Sequence, residues 1–313
     1  MGLHVRKSTS IFWKTLPFVM LRIGFGLLIG LLAMLYFGLV AGLLYWLVNS
    51  RSVSALIALV GLVLAVLLFV GFLRVIRRYA LYLISGGHIA VIAHIIETGE
   101  VPDSQIAYGL GEVKDNFASA SALFGIDQLV KGVIKQFNRT VSSLASWVGF
   151  IPALQQIVRF LQRAIALAAS YIDEAILAHI FVSQEENNWQ AARNGVVLYG
   201  KVWKSVLATT VIIVGTMYVV AFIGLLALTP LAGVIGQLSP TYEYIGWAVV
   251  AGVALAGYLG FIRPWVKTIV ITTFLIESRH ETPDSDTADW LESKSNKFSD
   301  LMQKAETGEP AAD

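Results

Sequence analysis

Trp203-Lys204-Ser205, an apolar run from Val206 to Leu228, a Pro/Gly-rich loop, a second apolar run from Ile245 to Ile262, and Arg263: this stretch decides the fold class. Each run is long enough, as a helix rising about 1.5 Å per residue, to cross a hydrocarbon core about 30 Å thick. The N-terminal quarter reads as an earlier copy. There Trp13-Lys14-Thr15 precedes a run Ile23–Val48, a short loop Asn49-Ser50-Arg51-Ser52, a run Val53–Leu73, and Arg74. Gly71-Phe72-Leu73-Arg74 answers Gly260-Phe261-Ile262-Arg263, 58 residues beyond Trp13 in one copy and 57 beyond Trp203 in the other. The pattern predicts an all-α integral membrane protein with four transmembrane helices, paired as two repeated hairpins.

Composition agrees and excludes other classes. Of 313 residues, 56% are hydrophobic and only 14% charged, too apolar for an ordinary soluble domain. No run alternates with period two, so a membrane barrel is not supported. A net charge of +2 leaves no electrostatic footprint for a nucleic acid. The absence of cysteine removes disulfides, thiolate metal sites and cysteine catalysis together.

Charge then orients the spans. With spans at 23–48, 53–73, 206–228 and 245–262, all but one of the 23 Lys and Arg residues fall on one side, which the positive-inside rule makes cytoplasmic; Arg51 alone lies outside. An added span at 165–182 would carry Lys201, Lys204, Arg263 and Lys267 outside and would reverse the second hairpin. Four spans are therefore expected, in a plasma or inner membrane, with both termini cytoplasmic. Trp13, Trp203 and Trp265 mark inner boundaries, Trp46 and Trp247 outer ones. The outer loop Thr229–Tyr244 holds Pro230, Gly233, Gly236 and Pro240 and neither Lys nor Arg. The first apolar run is too long for a cleavable signal, and no small-residue cleavage site follows it.

The chain divides accordingly into a first hairpin (1–78), a membrane-hugging layer of cytoplasmic or interfacial helices (79–203), a second hairpin with a helical run-on (204–276), and an acidic tail (277–313) with ten acids against four bases. Residues 80–96 are expected to form a helix lying along, or running off, the cytoplasmic face, with His88 and His94 as ordinary hydrogen-bonded histidines. Their six-residue separation puts them about 120° apart on a helix, so they are no metal pair. Leu123–Val148 is amphipathic: Ile126, Val130, Val133, Phe137, Val141 and Leu144 share about 80° of one face, while Asp127, Lys131, Lys135 and Arg139 run up a solvated ridge. In the tail, Trp290, Leu291, Lys294, Phe298, Leu301 and Ala305 follow helical spacing, as one short helix docked on the layer.

Two sets of residues stand out as candidate sites. Gln156, Arg159, Arg163, Ser170, Asp173 and Glu174 form a polar stripe on the helix after Pro152. Charges on so apolar a helix require partners. They are read first as ionic glue between helices, and in the second place as the lining of a polar path or a headgroup site. Small residues form the other set: Gly26 with Gly30, Gly38 with Gly42, and Ala248, Gly252, Ala256 and Gly260 every four residues, where another helix is expected to approach closely. No phosphate loop, zinc-protease motif or nucleophile elbow is present, so no enzyme, metal or cofactor is expected.

The order of parts from about Phe124 to Lys304 resembles the C-terminal half of choline transporter-like proteins. The similarity rests on Ala191-Ala192-Arg193-Asn194 ahead of two spans, on the exit Phe274-Leu275-Ile276-Glu277, and on a Ser- and Lys-bearing tail helix, Ser293–Lys304. The chain has fewer spans than that family and lacks its cysteine-rich stretch and large extracellular loop, and no binding residue carries over. The functional expectation is a transport or channel-like protein acting as an oligomer, because parallel repeats are common in transporters but four spans are few. The alternative is a structural or scaffolding protein that organises a partner protein or a lipid surface. Membrane lipid, further copies of the chain or another membrane protein are the expected partners.

Overall fold

The structure, a computed structural model, describes residues 4–76, 80–116, 120–145, 171–183, 185, 187–237 and 240–307. Among them the secondary structure is helical throughout. In chain order the helices are α1 (Val5–Lys14), α2 (Leu16–Asn49), α3 (Ala55–Ile76), α4 (Tyr82–Thr98), α5 (Gln105–Asn116), α6 (Ala120–Ala145), α7 (171–182), α8 (Asn188–Gly236), α9 (Pro240–Gly257), α10 (Arg263–Glu277), α11 (Ser285–Glu292) and α12 (Asn296–Thr307). A π-helical turn, Tyr258–Ile262, joins α9 to α10.

Four stretches among these are long and apolar enough to cross a membrane: Leu16–Asn49, Ala55–Ile76, Asn188–Leu231 and Val250–Glu277. They pair as α2 with α3 and α8 with α9. The first pair is bare. The most apolar part of α2 has no buried residue, and in α3 only Ala65 and Phe69 are covered. Their seam is an aromatic cluster in which Tyr36 stacks on Phe69 at 5.2 Å and donates its hydroxyl to the Ala65 carbonyl at 3.1 Å.

The layer of helices is built differently. Nearly every side chain of α4 from Gly86 to Ile96 is buried, and so is every residue of α10 from Val266 to Leu275. Burying a Val, Leu or Ile side chain away from water contributes about 1.5–3 kcal/mol, and the core takes Ile89, Ile92, Ile126, Val133, Ile172, Ile176, Val197, Ile269, Val270 and Phe274 from five helices. Helix α4 is thus a central core helix of the layer. The reason is Gly87: α5 crosses it at Gly109 so tightly that a Cβ on Gly109 would sit 2.5 Å from the Gly87 carbonyl oxygen. Gly99, at φ +80°, ends α4 in the left-handed conformation that glycine adopts without strain.

Helix α8 ties the two parts together. Over 49 residues, about 73 Å at 1.5 Å per residue, it begins in the layer core at Trp189 and Tyr199 and ends as a bare span. The long loop expected from Thr229 is absent. Pro230 lies within the helix, which runs on to Gly236, and Thr229 donates to the Leu225 carbonyl at 3.1 Å. At the other end of this hairpin the π turn precedes Pro264. Proline has no N–H for the carbonyl four residues back, and a wider turn absorbs that break.

The tail forms two helices instead of one. Asp284 caps α11, accepting from the Thr287 amide at 2.7 Å. Leu291 packs at Gly200 of α8, where a Cβ would meet Thr287 at 2.9 Å. Phe298, Leu301 and Ala305 of α12 are buried, as their spacing predicts.

Candidate functional site

Of the polar stripe, Gln156, Arg159, Arg163 and Ser170 lie outside the described residues; Asp173 and Glu174 lie within them and meet cations from different helices. Asp173, fully buried, is 3.2 Å from Lys131 Nζ of α6, and the same ammonium donates to Asp127 at 2.6 Å. Glu174 is 2.9 Å from Lys267 Nζ of α10, and Lys267 also donates to Ser85 Oγ of α4 at 2.6 Å. Two consecutive carboxylates on α7 therefore tie α6, α10 and α4 together.

Two of these partners are corrections to the sequence reading. Asp127 is only 1% exposed and does not belong to a solvated ridge. It sits about 100° from Ile126 on the helix, at the flank of the apolar stripe, where Lys131 folds over it. Lys267, which entered the sequence argument only as a topological charge, is 2% exposed and is the counter-charge of Glu174.

The electrostatics follow from burial. Burial, and then the neighbouring Glu174 carboxylate, push the Asp173 carboxyl above the ordinary carboxylate range, with Lys131 pulling the other way. Burial likewise raises Asp127 against the opposing pull of Lys131. One lysine thus serves two desolvated carboxyls, and Asp173 is the one that most readily keeps its proton. Two histidines, His88 and His179, are shifted by burial. His88 bonds Thr15 at 3.0 Å and stacks on Phe18, with burial holding it well below its usual range. His94 bonds the Tyr108 hydroxyl at 3.1 Å. Burial takes His179, edge-on to Phe274, down to about 4. Among the described residues no three His, Asp or Glu side chains come together as metal ligands.

Beside the Glu174–Lys267 pair opens a cleft of about 650 Å³. It forms where the two hairpins diverge, since α2 touches the second hairpin at the π turn, where a Cβ on Gly260 would meet Ile23 at 3.3 Å. Arg22, Arg263, Lys267, Glu174 and Tyr171 line its charged end. Gly26, Ile29, Ala256 and Leu259 line the end that runs along the spans. Burial raises the Tyr171 hydroxyl, which faces Arg263 and lies near Tyr258.

The small residues behave unlike one another. A Cβ on Gly26, Gly30, Gly38, Gly42 or Gly252 would touch nothing within 4 Å, whereas Gly260 packs on Ile23. Ala256 is exposed in the cleft wall, and the side chain of Ala248 is outside the described set. Within one chain, then, Gly260 is the small residue among the described ones of this set that a neighbouring helix approaches.

Compared with protein-family profiles, with curated proteins and with solved structures, the chain matches none.

Proposed function

We propose that the chain is a multi-pass protein of a plasma or inner membrane, both termini cytoplasmic, that works as an oligomer in a transport or channel-like role. The observation that carries this reading is the contrast between a densely packed layer and spans in which most glycines, Gly30, Gly38, Gly42 and Gly252 among them, have nothing packed against them. In lipid there is no hydrophobic drive between helices, so close approach through small residues is a main route to association. Gly38 and Gly42 of α2 and Gly252 of α9 present such faces outward.

Two of the spans carry no charge along their length. No Asp, Glu, His, Lys or Arg lies between Val206 and Leu231 or between Ala55 and Leu73. Thr210 and Thr216 turn their hydroxyls back to Val206 and Ile212 at 2.7 and 3.0 Å. A transport role therefore requires assembly, with the path between copies. The same charge-free spans favour the second reading, a scaffold that holds a partner or a lipid surface through the layer.

Light scattering of the protein in nanodiscs tests the first reading. The parent is expected to be oligomeric, and Gly38→Leu with Gly42→Leu to shift it towards monomer. A parent that is monomeric at all accessible concentrations would leave the scaffold reading standing alone.

A further inference from the structure

The charged end of the cleft holds more cation than anion, and its cations differ in commitment. Lys267 is engaged by Glu174 at 2.9 Å and by Ser85 at 2.6 Å. Arg22 from α2 and Arg263 from the start of α10 face the cleft from opposite walls. Among the described residues, no carboxylate lies within 4 Å of either guanidinium, while the one nearby acid, Glu174, already serves Lys267. Arg22 feels both Glu174 and Arg263 across the cleft. Two like charges brought towards one space, with a tyrosine hydroxyl between helices beside them, are stabilised by an anion that accepts from both. Guanidinium suits phosphate best, because its planar fork bonds two oxygens at once.

The rest of the lining identifies what carries that phosphate. Seven residues separate Arg22 from Ile29 on α2, and seven separate Arg263 from Ala256 on the neighbouring helix. Both walls thus extend from the charged end into the apolar part of the spans for about 10 Å. Among the described residues their surfaces there are Phe25, Gly26, Ile29, Ala256 and Leu259, with no polar side chain. A free anion has no use for such walls, whereas acyl chains do. The volume, about 650 Å³, lies within the range of small-molecule sites, roughly 300–1,000 Å³. Basic pockets between membrane helices are a known way of holding anionic headgroups.

We propose that this cleft binds one anionic phospholipid from the leaflet bordering the helical layer. Its phosphate lies between Arg22 and Arg263, and its chains lie along Gly26 and Ala256. The lipid joins the two hairpins where protein contact is thin, and the site is complete within one copy, so the proposal is independent of any transport role or assembly.

The test uses the full chain, delipidated in neutral detergent and offered phosphatidylglycerol or phosphatidylcholine, with retained adducts read by native mass spectrometry. The parent is expected to keep one phosphatidylglycerol with at least about tenfold preference over phosphatidylcholine, a difference of about 1.4 kcal/mol. Arg22→Gln with Arg263→Gln should abolish the preference. Should that variant not fold, Gly26→Leu with Ala256→Leu decides the matter. It fills open positions and should expel the lipid without disturbing the layer. Equal retention of the two lipids by the parent, or unchanged retention in the Gly26/Ala256 variant, would overturn the proposal. So would displacement of the lipid by glycerol 3-phosphate at equal concentration, which would make this a site for a soluble anion.

Discussion

Helices α3 and α4 are adjacent in sequence and both apolar, yet one is exposed and the other is buried. Helix α3 shows Leu56, Leu67 and Leu68 more than 60% exposed, while Val91, Ile92 and Ala93 of α4 are wholly buried. The same contrast divides the glycines. Gly87 and Gly109 press backbone on backbone, while Gly38 and Gly42 touch nothing. An apolar helix can be covered by lipid or by protein, and its hydrophobicity does not choose between them. The choice rests on length and on the residues flanking it. Seventeen residues bounded by Gly99 and a polar loop are too short to span with ease and suit a packed core. The twenty-two of α3 meet the thickness of a bilayer.

The contrast predicts where the molecule is fragile. The largest effect should come from Glu174→Gln, which leaves Lys267 buried with no counter-charge. Breaking such a pair typically costs about 3–5 kcal/mol, read as a lower unfolding temperature in detergent. An unchanged temperature would mean that the layer is not held by its ion pairs. Next is Gly109→Ala, whose Cβ meets the Gly87 carbonyl oxygen at 2.5 Å; overpacking of this kind costs about 1–3 kcal/mol. Its counterpart in the open, Gly42→Ala, should change stability by no more than about 0.5 kcal/mol. Equal losses in the two variants would erase the distinction between layer and span.

A smaller effect separates the two carboxyls that share Lys131. The folded-state affinity of Asp173 for its proton is raised. The folded protein therefore holds more protons than the unfolded chain above the ordinary carboxylate value of 3.8. This contribution to stability is full below that value and is lost as pH rises towards neutrality. Denaturation midpoints of the parent should accordingly fall relative to Asp173→Asn over that rise. A difference that stays constant with pH would show that Asp173 is ionised throughout.

Much of this was legible from spacing. The faces of α6 and α12 follow from helical phase, since Ile126, Val130, Phe137, Phe298 and Leu301 are all buried as predicted. The need of Asp173 and Glu174 for cations was legible too, because charge on an apolar helix must be answered. Which cation answers was not, since Lys131 and Lys267 reach α7 from helices distant in sequence. Asp127 shows the limit of phase arguments at the edge of a stripe, where a neighbouring helix decides exposure. Pro230 and Gly233 carry the composition of a loop yet lie in α8, as a helix tolerates proline more readily in a span than in water. The cleft was invisible, because Arg22 and Arg263 come from opposite ends of the chain and the small residues beside them read equally well as a packing face.

The central claim is that four helices span and that α4 and α7 do not. Because the chain has no cysteine, single cysteines at Ser104, Glu185 and Gln237 can be labelled in intact cells with a membrane-impermeant maleimide. Gln237→Cys should react from outside, whereas Ser104→Cys and Glu185→Cys should react only after the membrane is opened. External labelling at Glu185→Cys would put α7 across the membrane and contradict the account.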